Sequence, residues 1–276
     1  MSINKVVILS YFLLPLTGIF VGLLSTLFGV GGGIIAVPML YLIFPKISPQ
    51  LVISTSMGMI FINSLINSRN FLKKGKEISL NFFMILSLGM TAGVIIGTRI
   101  VDSVHPSTIK TIFGVTLFLV AFKTVLTKVN KNSFKNDWKP NDQKNYRLKY
   151  FLTCFITGIL EGTTGLGGGA VLVPIFITFL KVPYNWVSFL SNLCMGSGCL
   201  IGVLAYLISE PSSSIFVPEA LQSFQVNGVN FGLIGLLSSG ALVSSKLGVN
   251  LGQKLDPKLS NVFLRVYYSL SHPNFI

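Results

Sequence analysis

The residues of this chain best suited to chemistry lie in two short glycine runs. One reads Gly29-Val30-Gly31-Gly32-Gly33 and the other Gly165-Leu166-Gly167-Gly168-Gly169. Glycine tolerates positive φ and leaves its amide N–H uncovered by a side chain. Where such a run opens a helix, expected here at Ile34 and Ala170, the first amides and the positive dipole end point into the break. The chemistry this supports is anion binding by backbone alone. The competing use is close helix packing, the role expected of Gly89, Gly93 and Gly97 in their GxxxG-like ladder. Three successive glycines are poor helix formers, which favours a functional break in the two runs.

Polar residues near the runs are the next candidates. Glu161 lies four residues before Gly165 inside an apolar stretch. It reads either as a membrane-embedded proton carrier or as a carboxylate snorkelling from a helix end. Its counterpart in the first run's neighbourhood is Ser25. Thr55, Ser56, Ser191 and Asn192 offer hydroxyl and amide donors to an oxyanion, or hydrogen bonds between helices. Asn63 and Asn67 are also polar within a span, and Arg99 is expected to reach the outer interface. Arg265 is a candidate partner of Glu161 or of an anion. His105 and His272 are loop residues, and no metal site is expected from them. Cys154, Cys194 and Cys199 lack metal spacing and read as small buried residues. No paired His/Asp/Glu, Ser-His or Cys-His constellation marks catalytic residues, so neither an enzyme nor a cofactor is expected.

The elements that must position these residues are membrane helices. Half of the chain, 51%, is hydrophobic and only 11% is charged, with a mean hydropathy of +0.73. A soluble domain carries about 25% charged residues. Apolar stretches fall near 6–28, 51–67, 79–101, 108–127, 150–166, 185–209, 228–249 and 258–275, with shorter ones at 31–44 and 169–180. A helix needs about 20 residues to cross a bilayer core. The expected fold is all-α and polytopic, with about 8–10 membrane segments and broken or re-entrant helices at the glycine runs. The apolar N-terminus, without a small-residue cleavage site, reads as an uncleaved span.

The chain reads as a duplication. One constant offset carries Gly22 to Gly158, Gly29 to Gly165, Gly31–Gly33 to Gly167–Gly169 and Pro38 to Pro174. It also carries Thr55 and Ser56 to Ser191 and Asn192. A longer offset, consistent with an insertion near 209–227, carries Gly89 to Gly240, Gly97 to Gly248 and Pro106 to Pro257. The organisation is a first repeat at 6–127, a basic cytoplasmic linker at 128–149 and a second repeat at 150–276. Most of the 21 Lys and Arg residues fall at 68–77, 128–149, Lys181 and 250–258. The positive-inside rule makes those loops cytoplasmic, and an odd number of segments per half then makes the repeats inverted. A parallel repeat of four spans each is the alternative. The same placement turns the net charge of +13 into a lipid-facing feature, with no nucleic-acid partner.

The repeated block, Gly29–Pro38 and Gly165–Pro174, resembles the signature of the sulfite exporter TauE/SafE family. The Thr55-Ser56 pair and the surroundings of Gly97 and Pro106 fit as well, over about residues 10–270. The resemblance implies a permease of two duplicated halves for small sulfur-containing or organic anions, such as sulfite or sulfonates. Ser191-Asn192 in place of Thr55-Ser56 is a departure from it. The expected function is a secondary transporter of a small anion by alternating access, in the inner cell membrane. Its partners would be that anion, the lipid bilayer and protons or another coupling ion. A passive anion channel or a non-transporting membrane subunit are the alternatives. The sequence carries no sign of the oligomeric state.

Overall fold

The computed structural model describes residues 3–126, 146–209 and 219–254. The last apolar stretch with Arg265 and His272, most of the 128–149 linker and Glu210 lie outside the described residues. The described chain is helical apart from one small hairpin. The helices are α1 (Ile3–Phe28), α2 (Gly33–Ile43), α3 (Pro49–Lys73), α4 (Leu80–Ser103) and α5 (Pro106–Leu126). They continue with α6 (Arg147–Thr164), α7 (Gly169–Thr178), α8 (Tyr184–Ile208), the short α9 (Glu219–Gln222) and α10 (Phe231–Lys254). Between α9 and α10, β1 (Gln225–Val226) and β2 (Val229–Asn230) pair antiparallel.

Local chemistry sets the boundaries. Ser48 and Ser79 cap α3 and α4, each hydroxyl accepting the amide three residues on (Leu51 and Phe82, both 3.3 Å), as N-caps do. Pro49 and Pro106 open α3 and α5, where a missing N–H costs nothing. Helices α1 and α6 both stop at a left-handed glycine. Gly29 has φ +70° and Gly165 φ +66°, and their amides bond back to Ser25 and Glu161 carbonyls at 2.8 Å. Helices α2 and α7 restart one residue earlier than expected, at Gly33 and Gly169.

The surface carries apolar stripes, and polar residues are buried within the apolar core. Phe12, Leu16, Phe20 and Leu24 form an exposed stripe along α1, and Leu80, Met84 and Leu88 another along α4. Meanwhile Ser25, Thr55, Ser56, Asn63, Asn67, Glu161 and Asn192 are buried. An apolar outside with polar groups sheltered inside suits lipid as solvent. Among the described residues, α3, α4 and Trp186–Ile208 of α8 are long and apolar enough to cross a membrane. This is an all-α integral membrane protein.

Side-chain contacts fix the run of each helix. At one end of the bundle Asp102 of α4 accepts from Gln50 of α3 (3.2 Å), and Gly228 of the β-hairpin donates to Tyr206 of α8 (3.2 Å). At the other end the rings of Phe71 and Phe189 lie 5.8 Å apart, and Lys76 Nζ sits 4.1 Å over Trp186. Helices α3 and α8 are therefore antiparallel. Helix α6 runs alongside α4 in the same direction, because Gly89, Gly93 and Gly97 face the carbonyls of Phe151, Phe155 and Ile159 in turn. Gly18 and Gly22 of α1 face Leu237, Ala241 and Ser244 of α10 in the same manner. A Cβ at any of these glycines would fall on backbone, so here glycine serves packing. Helix α7 turns back beside α6, with Phe176 against the ring of Tyr150 (6.0 Å).

The packing repeats under exchange of halves. Helix α4 lies along α6 as α10 lies along α1, and α4 meets α8 as α10 meets α3. Helices α2 and α7 lie on α3 and α8, which face one another. Among the described helices, α3 runs opposite to α8.

Candidate functional site

Each glycine run is the tip of a helical hairpin, α1–α2 or α6–α7, and the two tips meet inside the bundle. A Cβ on Gly33 would fall on the carbonyl of Gly165, and one on Gly169 on the carbonyl of Gly29. Gly31 faces the carbonyl of Gly167 in the same way. The meeting point lies midway along the long helices: Ile60 of α3 packs against Gly167, and Met195 of α8 against Gly31 and Gly169. Gly169 N–H points to Met195 Sδ at 3.2 Å. Sequence reasoning passed over Met195, although the constant offset pairs it with Met59, a second fully buried methionine.

The backbone needs glycine at these tips. Gly31 and Gly32 have φ +86° and +87°, and Gly167 has φ +69°. A side chain there would add left-handed strain of about 1–2 kcal/mol per residue to the loss of backbone contact.

Hydroxyls from the crossing helices tie down the tips. Ser56 donates to the Gly165 carbonyl at 2.7 Å and Ser191 to the Gly29 carbonyl at 2.9 Å. Each hairpin is thus held by the opposite half. Asn192 donates to the Ser188 carbonyl (2.7 Å) and accepts from Asn67 (3.1 Å), while Asn67 accepts from Thr26 (2.9 Å). Ser56 and Ser191 thus tie α3 and α8 to the tips, and the Asn67–Asn192 bond joins α3 to α8. Thr55 differs, because its buried hydroxyl has no partner among the described residues.

Glu161 is 1% exposed and does not snorkel. One carboxylate oxygen accepts the Gly168 amide (3.1 Å) at the N-terminus of α7, and the other accepts the Cys199 thiol (2.7 Å). Cys199 is therefore more than a space-filler. The clue in the sequence was the offset, which pairs Cys199 with the polar Asn63. Cys154 and Cys194 are buried with sulfurs 3.8 Å apart, as free thiols.

The first half lacks a carboxylate at the matching place. Ser25 is completely buried and Asn63 is 1% exposed. Ser25 Oγ and both polar atoms of the Asn63 side chain have no hydrogen-bond partner among the described residues. A buried polar group left unpaired costs about 1–3 kcal/mol, so these groups ask for a reason. Arg99 stands apart from the tips: it is exposed and lines a groove of about 260 Å³ between α4 and α8 with Thr98, Asp102 and Ser209. Among the described residues no group of three His, Cys, Asp or Glu side chains is placed to hold a metal ion.

Comparison with known proteins agrees with this architecture. The profile described as sulfite exporter TauE/SafE matches residues 14–271. A "Probable membrane transporter protein" of Haemophilus influenzae is 28% identical over 255 residues, spanning 92% of this chain and 91% of that one. Another of Methanocaldococcus jannaschii is 27% identical, covering 91% of this chain and 90% of its own. A third, from Bacillus subtilis, is 23% identical over 94% of each chain. No solved structure matches at a significant level.

Proposed function

This chain belongs to the sulfite exporter TauE/SafE family and is a membrane transporter; we propose that it is a secondary carrier for a small anion. The cargo would be sulfite, a sulfonate or a related organosulfur compound, bound at the glycine tips. The observation that carries this reading is the meeting of the two tips, backbone against backbone, midway along α3 and α8. Broken helices at matching places in two halves are where transporters bind cargo and ions. Each tip also presents a helix N-terminus, which attracts anions.

The contact between tips favours a carrier over a pore. Gly33 against Gly165 and Gly169 against Gly29 leave no space for a Cβ, so an anion passes only if the hairpins move apart. The reading of the halves as inverted repeats is supported by the opposed directions of α3 and α8 and by the exchange of contacts between α4–α6 and α1–α10. Rocking of such halves about the tips would alternate access. Lys73, Lys74, Lys76, Arg147, Lys149 and Lys181 would then face the cytoplasm of an inner-membrane protein. Glu161, at one tip, is the residue proposed to couple a proton, because protonation would weaken its hold on the Gly168 amide.

The test is flux of radiolabelled sulfite, thiosulfate, sulfoacetate and acetate in proteoliposomes, with and without a pH gradient. Accumulation of one sulfur anion driven by the gradient is the expected result. Downhill flux alone would replace the carrier with a channel. No flux of any of the four in folded protein would remove the anion assignment.

A further inference from the structure

The two tips are built alike but completed differently. In the second half, Glu161 places a carboxylate on the α7 N-terminus, one oxygen on the Gly168 amide and the other on the Cys199 thiol. The offset that superposes the halves carries Ser25 to Glu161, Gly32 to Gly168, Asn63 to Cys199 and Val21 to Thr157. The packing keeps this register. A Cβ on Gly168 would meet Thr157 and Glu161, and one on Gly32 would meet Val21. Thr26, next to Ser25, is bonded to Asn67, one turn beyond Asn63 (2.9 Å), so α1 and α3 are locked side by side there.

By this register the first-half counterparts of Glu161 and Cys199, which stand at the α7 N-terminus, are Ser25 and Asn63. Both are buried, and Ser25 Oγ, Asn63 Nδ2 and Asn63 Oδ1 have no partner among the described residues. The first amides of α2 have no acceptor within their own helix. Hydroxyl, carboxamide and helix N-terminus together form a donor-rich, uncharged set. The other tip shows which chemistry completes this arrangement: the two oxygens of one carboxyl group.

We propose that the cargo anion binds at the first tip, on Ser25, Asn63 and the α2 N-terminus, and that Glu161 is a built-in anion occupying the equivalent place at the second. One transported oxyanion then fits per protein, and it must offer at least two oxygens, as a carboxylate, sulfite or sulfonate does. A cation is disfavoured by the positive dipole end. The class of anion rests on the transporter reading above, whereas the location rests on the unpaired groups and the symmetry.

Exchanging the two constellations tests this. Full-length protein in detergent is titrated calorimetrically with sulfite and with acetate, and the same variants are assayed for radiolabelled sulfite flux in proteoliposomes. Wild type is expected to bind at one site. Ser25→Glu plants the second half's carboxylate in the first and is expected to weaken binding at least tenfold and stop flux. Asn63→Cys and Ser25→Ala, which change far less volume, are expected to weaken binding severalfold and serve if Ser25→Glu misfolds. Glu161→Ser is expected to add a second binding event. Wild-type binding in all three first-tip variants overturns the location, and unchanged flux in them does so while leaving the transporter reading intact. A single site in Glu161→Ser overturns the role given to Glu161. One-site binding that the first-tip variants weaken, without flux, upholds the location and fails the carrier reading. No binding of either anion by wild type overturns the location.

Discussion

The α1–α2 and α6–α7 hairpins solve one mechanical problem in the same manner and one electrostatic problem in different ways. Mechanically, both end their first helix on a left-handed glycine and lean the tip on the backbone of the other. Both are held by a hydroxyl from the opposite half, Ser56 or Ser191. Electrostatically, α7 begins on the carboxyl of Glu161, while the residues that the offset pairs with Glu161 and Cys199, namely Ser25 and Asn63, are neutral and have no side-chain hydrogen-bond partner among the described residues. The lesson is that the two hairpins share the contacts that hold the tips together and differ in the polar groups at matching positions.

Mutations where the tips are alike should act equally on both and most severely. Gly33→Val and Gly169→Val each drive a branched side chain into the carbonyl of the facing glycine, Gly165 or Gly29. Backbone cannot yield as a side chain can, so the cost lies at or above the usual 1–3 kcal/mol of overpacking. Both variants are expected to lose sulfite flux by at least about a hundredfold, since 2.7 kcal/mol is worth that factor, and to melt lower by similar amounts. A large difference between the two would break the mechanical equivalence.

One residue earlier, the equivalence is expected to fail. Gly32 has φ +87° and a Cβ there would fall on the branched Val21, whereas Gly168 has φ −17° and a Cβ there would press first on the ends of Met90 and Glu161 and only then on Thr157 (3.0 Å). Gly32→Ala should therefore cost about 2–3 kcal/mol, combining left-handed strain with a stiff neighbour. Gly168→Ala should cost about 1 kcal/mol, because flexible side-chain ends can shift. Thermal melts of the two purified variants measure the gap, and equal values would mean that the second tip is as rigid as the first.

Glu161→Gln sharpens the electrostatic contrast without changing size. The carboxylate accepts from Gly168 N–H and Cys199 Sγ–H, but a carboxamide has one accepting oxygen and turns its NH₂ toward one of these donors. The expected loss is about 1 kcal/mol of stability, small because the thiol can rotate. The larger consequence is for coupling: a carrier that moves a proton through Glu161 should lose its response to an imposed pH gradient. A variant whose gradient-driven flux matches wild type would place the coupling proton elsewhere.

How much of this was legible in the sequence follows the physics of each part. The helices and their breaks were, because lipid demands long apolar runs and three glycines interrupt them visibly. The pairing of Glu161 with Ser25 was legible through the offset. What hides from sequence is which donor meets which acceptor. Ser56 and Ser191 looked like groups for an oxyanion, yet their hydroxyls are spent on the Gly165 and Gly29 carbonyls. Cys199 looked inert because its meaning depends on Glu161, thirty-eight residues away and one helix across. Asn63 drew little notice because nothing in an apolar helix says whether an amide is paired.

Asn67 gives the mildest comparison, because it bridges in one half only. It accepts from Thr26 (2.9 Å) and donates to Asn192 (3.1 Å), whereas the offset places Gly162 and Val203 at the positions of Thr26 and Asn67 in the second half. Asn67→Val makes the halves alike. Few groups are stranded by it: the single Thr26 hydroxyl proton, shared between Asn67 and the Gly22 carbonyl (2.7 Å), passes to Gly22, and Asn192 keeps its bond to Ser188 (2.7 Å). Only Asn192 Oδ1 loses its donor. Hydrogen bonds between membrane helices average about 0.6 kcal/mol, so two removed bonds predict a loss near 1 kcal/mol and a melting shift of about 2–4 °C. Flux should stay within about twofold of wild type, since 0.4 kcal/mol is worth that factor. A much larger loss of flux would mean that the Thr26–Asn67–Asn192 chain aligns the first tip for its cargo, and the electrostatic difference between the halves would then extend one turn further along α3.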